Sequence, residues 1–227
     1  SFSDLHPAAP SFPGASADSR DYDAGGEARE AGGEEEGEKT IFDFPAGART
    51  GECWHSILET VDFAVGDEAL LAAVSNGLDR YRLSGTEAER ETRCRSVAGM
   101  IRSVLTTPLD AHGEIVLERI PRRDRVSEME FDFPLASRKR IFTSEWRNIL
   151  GTYWGEDPRK RIFTEALEGW NRLIPRGFMT GYIDLIFRRG GKFYLVDWKS
   201  NRLNGQPVGF APEGLRREMA ERGYAVQ

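Results

Sequence analysis

Hydrophobic and polar positions along this chain follow two periods, and the switch between them marks its organisation. After a turn at Gly47–Gly51, Trp54, Ile57, Leu58, Val61 and Val65 recur at helical spacing. Residues 67–81 and 87–105 continue as two more helices, broken at Ser84-Gly85. The period then shortens to two. Residues 114–118 and 128–133 alternate as strands around the basic turn Pro121–Arg125. A short helix is expected over 144–150, and Phe163, Leu167, Trp170 and Leu173 form a helical stripe that Pro175 ends. Two β-rich runs flank Gly190-Gly191, and a last helix starts near Glu213 and carries Met219 through Gln227. The expected class is α/β: a mixed sheet with a central hairpin, flanked by helices.

The hairpin carries the chemistry. With Gly190 and Gly191 as its two turn residues, Arg189 opposes Lys192, and the same register sets Asp184 opposite Asp197. Directly opposed residues share a face, with Cβ atoms about 4.5–5.5 Å apart. Lys199 joins that face, because strand side chains alternate with period two. Opposed like charges destabilise a sheet, and carboxylates among Ile183, Leu185, Phe193, Leu195 and Val196 need a partner. A divalent cation resolves both difficulties, and hard oxygen ligands suit Mg²⁺. The plainer alternative is a surface hairpin with solvated charges.

Composition narrows the classes. The 227 residues, 39% hydrophobic and 30% charged, suffice for one full globular domain. No apolar run reaches the ~20 residues of a membrane helix. Cys53 and Cys94, the only cysteines, give neither a disulfide framework nor a four-cysteine metal or iron–sulfur site, and fit a reducing compartment. No G-x-x-x-x-G-K-[ST] loop is present. The net charge of −6 is unevenly placed: residues 1–40 carry ten acidic and three basic side chains, and the remainder is nearly neutral. Residues 1–39, poor in large apolar side chains and holding the tract Ala31–Glu38, are expected to be a disordered acidic, glycine-rich linker, with or without a role. The domain then spans 40–227. Arginine outnumbers lysine 26 to 5, as suits phosphate contact. Arg138–Arg140 and Arg159–Arg161 read equally as phosphate contacts or solvated loop charge. The arginines Arg90, Arg93, Arg95 and Arg102 read better as a solvated helix face.

The spacing Asp184, twelve residues, then Asp197-Trp198-Lys199 resembles the PD-(D/E)xK nuclease core. The wider wording, Gly181-Tyr-Ile-Asp-Leu-Ile-Phe followed by Leu195-Val-Asp-Trp-Lys-Ser-Asn201, resembles the RecB-type nuclease domain of the RecBCD helicase–nuclease. The resemblance covers residues 41–227 and stops short of that domain's own C-terminal end. It implies a restriction-endonuclease-like fold and Mg²⁺-dependent hydrolysis of DNA, with Mn²⁺ able to substitute and Ca²⁺ a candidate inhibitor. His55, Asp184, Asp197 and the backbone carbonyl of Trp198 would bind the metal, and Lys199 would position or activate the attacking water. Without the resemblance, a lone histidine on the shoulder of an apolar stripe is more often structural. Here Gly51-Glu-Cys-Trp-His55-Ser-Ile-Leu-Glu59 follows the family's wording for an additional metal ligand.

Tyr224 and Gln227 match the family's Tyr-x-x-Gln motif, as site support or DNA contacts, alongside Ser200 and Asn201. Glu128 and Glu130 share a strand face, and Glu130 is the candidate for a further acidic ligand. Implied partners are DNA, single-stranded at the site, a helicase portion of the same polypeptide, and RecC- and RecD-like subunits, in a bacterial cytoplasm and without a membrane. The rival reading is a catalytically inactive DNA-binding or docking module that keeps the fold.

Overall fold

A computed structural model describes residues 40–135, 139–142, 145, 148–149, 151–152, 171–174, 177–201, 203, 210–222 and 224. The expected linker over 1–39 lies outside them, as do Arg138, Arg159–Arg161 and Gln227. The chain divides into two compact units. One takes in the chain through Glu130 together with Tyr182–Arg202, the other Phe131–Gly181 with Leu203–Gln227.

Three helices form the first unit's body: α1 (Ala48–Thr60), α2 (Asp67–Arg80) and α3 (Glu87–Thr106). The turn expected at Gly47–Gly51 is instead the first turn of α1. Gly47 caps it at φ 129°, a conformation open to glycine, and the Thr50 hydroxyl donates to the Pro45 carbonyl at 2.7 Å. Thr86 and Glu89 form a reciprocal capping box that starts α3. The helices bury Cys53, Ile57, Leu58, Leu70, Val74, Leu78, Val97, Ile101 and Leu105 in one core. α1 and α2 approach closely at Gly77, where an added Cβ would lie 2.8 Å from Ile57 Cγ1.

The α3 arginines mostly tie α3 to its neighbours rather than lining a solvated face. Arg93 donates to the Leu83 carbonyl at 3.0 Å, Arg102 to that of Val65 at 2.7 Å, and Arg90 pairs with Asp79. Arg95 makes an i,i+4 pair with Glu91, its one ion pair among the described residues.

The strand expected over 114–118 is absent. Asp110 accepts from the backbone N–H groups of His112 and Ile115 at 3.1 and 2.8 Å, turning the segment into a loop. Its alternating apolar residues serve as anchors, and Val116, Leu117 and Ile120 are buried beside a short 3₁₀ turn, Leu117–Arg119.

Five strands follow: β1 (Arg125–Leu135), β2 (Lys139–Phe142), β3 (Asn171–Ile174), β4 (Gly177–Arg189) and β5 (Lys192–Val196). β1, β4 and β5 make a three-stranded antiparallel sheet in that order, and β2 pairs antiparallel with β3. The α/β class is as expected. The helical stripe expected through Leu173 is not: Leu173 lies in β3, opposite Arg140, where cross-strand pairing outweighs a helical spacing of apolar residues. Its other members lie outside the described residues. Residues 145, 148–149 and 151–152 are helical, as expected for 144–150.

The β4–β5 hairpin has the expected register, from Arg189 opposite Lys192 to Leu185 opposite Val196. Gly190 and Gly191 take φ 57° and 75°, the two positive values of a type I′ turn. Leu185 and Phe187 are each 1% exposed and join the helical core, Phe187 stacking on Tyr194 at 5.0 Å between ring centroids. Arg125, at the start of β1, lies 3.4 Å over the Phe63 ring.

In the second unit the Phe131 ring covers Gly181, where an added Cβ would lie 2.6 Å from its Cζ. α4 (Pro212–Glu221) starts with proline in its first turn and ends before Tyr224, so that residue lies beyond the helix expected to carry it. No helix among the described residues is long and apolar enough to cross a membrane.

Candidate metal centre

The hairpin register carries Asp184 level with Asp197. On the other side of β4, Arg188 Nη2 donates to Asp124 Oδ1 at 2.8 Å and Tyr182 Oη to Glu130 Oε1 at 3.3 Å. Both contacts fit one register, which sets Glu128 level with Asp184. Glu128, Asp184 and Asp197 thus form a row of carboxylates across three strands, on the face opposite Leu185 and Phe187. Helix α1 brings His55 to this row.

His55, Glu128 and Asp184 each offer a ligand atom, and these atoms lie within 4.8 Å of one another. His55 Nδ1 is 3.6 Å from Asp184 Oδ1, with the two side chains only 10% and 12% exposed. The other oxygen of Asp184 accepts from the Trp198 backbone N–H at 2.6 Å. That bond fixes the carboxylate's orientation and leaves Oδ1 toward His55. Lys199 Nζ lies 3.0 Å from Asp197 Oδ2. Burial pushes the Asp197 carboxyl above its ordinary range; Lys199 opposes the shift, and the nearby charge of Asp184 adds to it.

Glu128 departs from extended geometry, with φ 51° inside β1. A left-handed backbone on a non-glycine residue costs on the order of 1–3 kcal/mol and persists where the surroundings impose it. Here it re-aims a carboxylate toward Asp184 and His55. Two carboxylates and an imidazole at this spacing are costly without a cation, and their mostly hard donors suit Mg²⁺ or Mn²⁺.

Of the residues singled out in the sequence, the fold brings His55 and Asp184 together, with Asp197 and Lys199 beside them as an ion pair. Trp198 meets Asp184 through its N–H, whereas its carbonyl was the expected ligand. Ser200 and Asn201 are half-buried just past Lys199. Tyr224 belongs to the other unit. The sequence reading missed Glu128 and chose Glu130, whose carboxylate instead accepts from Tyr182. Period two flags both glutamates; only the backbone at Glu128 separates them.

No known family profile matches the chain. Curated relatives do. The RecBCD enzyme subunit RecB of Mycolicibacterium smegmatis is 32% identical over 188 residues, which is 78% of this chain and 17% of that protein. The RecB subunits of Escherichia coli K12 and Haemophilus influenzae are 28% and 29% identical over 193 and 192 residues, each 85% of this chain. The chain is RecB-like. It spans only 15% and 14% of the length of the last two relatives.

Proposed function

We propose that this RecB-like chain carries a PD-(D/E)xK nuclease centre that hydrolyses DNA phosphodiester bonds with Mg²⁺. The convergence of His55, Glu128 and Asp184 beside the Asp197–Lys199 pair carries the reading. His55, Glu128 and Asp184 would hold the cation, with Asp197 and the Trp198 carbonyl as further donors. When bound, a divalent cation supplies charge neutralisation at the scissile phosphate and a lowered pKa for its bound water.

The chain's own residues do the remaining work. The Trp198 N–H fixes Asp184, so one ligand is oriented before substrate arrives. Lys199, mostly buried and held by Asp197, presents ammonium protons to the attacking water and steadies negative charge developing on the phosphate oxygens. Ser200 and Asn201 support the lysine's loop. Mn²⁺ would substitute for Mg²⁺, and Ca²⁺, which prefers looser coordination, would bind without supporting cleavage.

By likeness to RecB, the function belongs to DNA repair and recombination in the bacterial cytoplasm, beside a helicase portion and RecC- and RecD-like subunits, with single-stranded DNA at the site. Tyr224 and Gln227 would contact that strand or support the centre. A cleavage assay on a labelled oligonucleotide tests the reading. Cleavage should require Mg²⁺, stop with a chelator, and vanish in Asp184→Asn. Metal-independent cleavage, or full activity of Asp184→Asn, would sink it.

A further inference from the structure

The outer face of the sheet is organised in rows about 6–7 Å apart, the spacing of every second strand residue. The carboxylates Glu128, Asp184 and Asp197 form one row. The next, toward the hairpin turn, holds Val126, Ile186 and Leu195; the one after holds Asp124, Arg188 and Phe193. Phe193, Leu195 and Val126 are 71%, 66% and 53% exposed. Exposed Arg122, Arg123, Arg189 and Lys192 surround the far end, with Asp124 as the acidic residue among them. Beside them is a recess of about 190 Å³ between Pro121, Arg188, Arg189 and the Gly190–Gly191 turn. No atom lies within 4 Å of where a Cβ would sit on either glycine, so the turn is open to approach.

We propose that this face is a track for single-stranded nucleic acid, anchored at its far end by Arg188 and Phe193. The inference rests on the nuclease reading of the carboxylate row, which fixes one end of the track. Contiguous exposed apolar side chains mark an interaction surface, and the charges around them select the occupant. An acidic peptide would satisfy the arginines but leave the exposed Phe193 and Leu195 uncovered. An apolar helix would cover Phe193 and Leu195 but offer no counter-charge to the basic side chains around them, of which Arg188 and Arg123 share the single carboxylate of Asp124. A nucleic-acid strand meets each requirement: a phosphate on Arg188, a base on the Phe193 ring, and the cleaved phosphate at the carboxylates through the bound cation, while Arg189 and Lys192, projecting from the reverse face beside the turn, add to the positive field there. Arg188 sits directly opposite Phe193, which places a phosphate contact and a stacking platform one nucleotide-sized step apart. The strand is single because stacking on Phe193 requires an unpaired base. Arg188 is four residues from Asp184, about 13 Å along β4. That distance spans about four nucleotides at the ~3.4 Å rise of a stacked strand, fewer if the strand is stretched.

Fluorescence anisotropy of labelled oligodeoxythymidines, 2 and 16 nucleotides long, tests this in EDTA at several salt concentrations. Phe193→Ala should weaken 16-mer binding about tenfold, in the range known for single base–aromatic stacks, while Phe193→Trp retains it. Arg188→Gln should also weaken it and flatten the salt dependence by about 0.7, the loss of one phosphate contact. The 2-mer, too short to engage both ends, should respond less, and a 16-base-pair duplex should not respond to Phe193→Ala. Calorimetric Mn²⁺ affinity should be unchanged in every variant. Wild-type affinity and salt slope in the variants would overturn the track, as would an equal effect on duplex, or a change in self-association without one in oligonucleotide binding. The two readings fail separately. Loss of binding in the variants of a protein that neither takes up Mn²⁺ nor cleaves leaves the track standing and removes the nuclease; unchanged variants of a cleaving protein do the reverse.

Discussion

Replacing Glu128 with glycine separates two roles that the structure places in one residue. The side chain contributes a carboxylate to the row with Asp184, and the backbone holds φ 51° within β1. A left-handed conformation costs an L-residue about 1–2 kcal/mol. Glycine avoids that cost but loses about 0.5–1 kcal/mol through its greater freedom in the unfolded chain. Removing one carboxylate also relieves repulsion from Asp184. Glu128→Gly should therefore equal or exceed the metal-free wild type by up to about 1 kcal/mol, a shift of at most about 2–4 °C in a chain of this size. Glu128→Ala keeps the strain and should fall about 1 kcal/mol below the glycine variant.

Metal reverses the order. A ligand at one hundred times its Kd stabilises by about 2.7 kcal/mol, and the wild type should show that gain with Mn²⁺. Both variants should lose most of it. Thermal melts of the three proteins, with EDTA and with saturating Mn²⁺, read all of this together. A glycine variant less stable than the alanine variant would refute the strain assignment. A full Mn²⁺ shift in both variants would refute the ligand assignment.

Asp197→Asn should abolish Mg²⁺-dependent cleavage and leave the metal-free melting temperature unchanged or higher, because burial, with the Asp184 charge, disfavours the ionised Asp197 carboxylate more than its pair with Lys199 favours it; a clear loss of stability would show that the ion pair outweighs them. Phe187→Ala, at a 1% exposed position stacked on Tyr194, should cost about 3–5 kcal/mol in denaturant unfolding; a cost below about 1 kcal/mol would mean that the sheet does not depend on this packing. Burial pushes the Cys53 thiol from 9.0 up to about 11. Its protonated form therefore favours the folded state, so stability should fall as pH rises from 9 to 11, by up to about 3 kcal/mol. Cys53→Ala should flatten that slope, and an unchanged pH profile would contradict the burial effect.

The first two helices after α1, the hairpin and its register were legible because each rests on local rules. Ser84-Gly85 breaks a helical period, and Gly190-Gly191 permits the two positive φ angles of a tight turn. From that register came the opposition of Asp184 and Asp197. The failures arose where side chains serve the tertiary structure. Residues 114–118 alternate like a strand, yet Asp110 ties them into a loop whose apolar residues anchor it. Leu173 fits a helical stripe, yet its backbone pairs with β2. Glu128 could not be told from Glu130, because the distinction is a backbone angle imposed by the folded sheet. His55 needed both its helix and β4 in place, since no sequence period links residues so far apart in the chain.

Anomalous diffraction from crystals soaked in Mn²⁺ tests the central claim most directly. A single strong peak should lie within coordination distance of His55, Glu128 and Asp184, about 2.0–2.4 Å from each ligand atom. It should disappear in Asp184→Asn. No peak at this cluster, or a peak that persists in Asp184→Asn, would contradict the account.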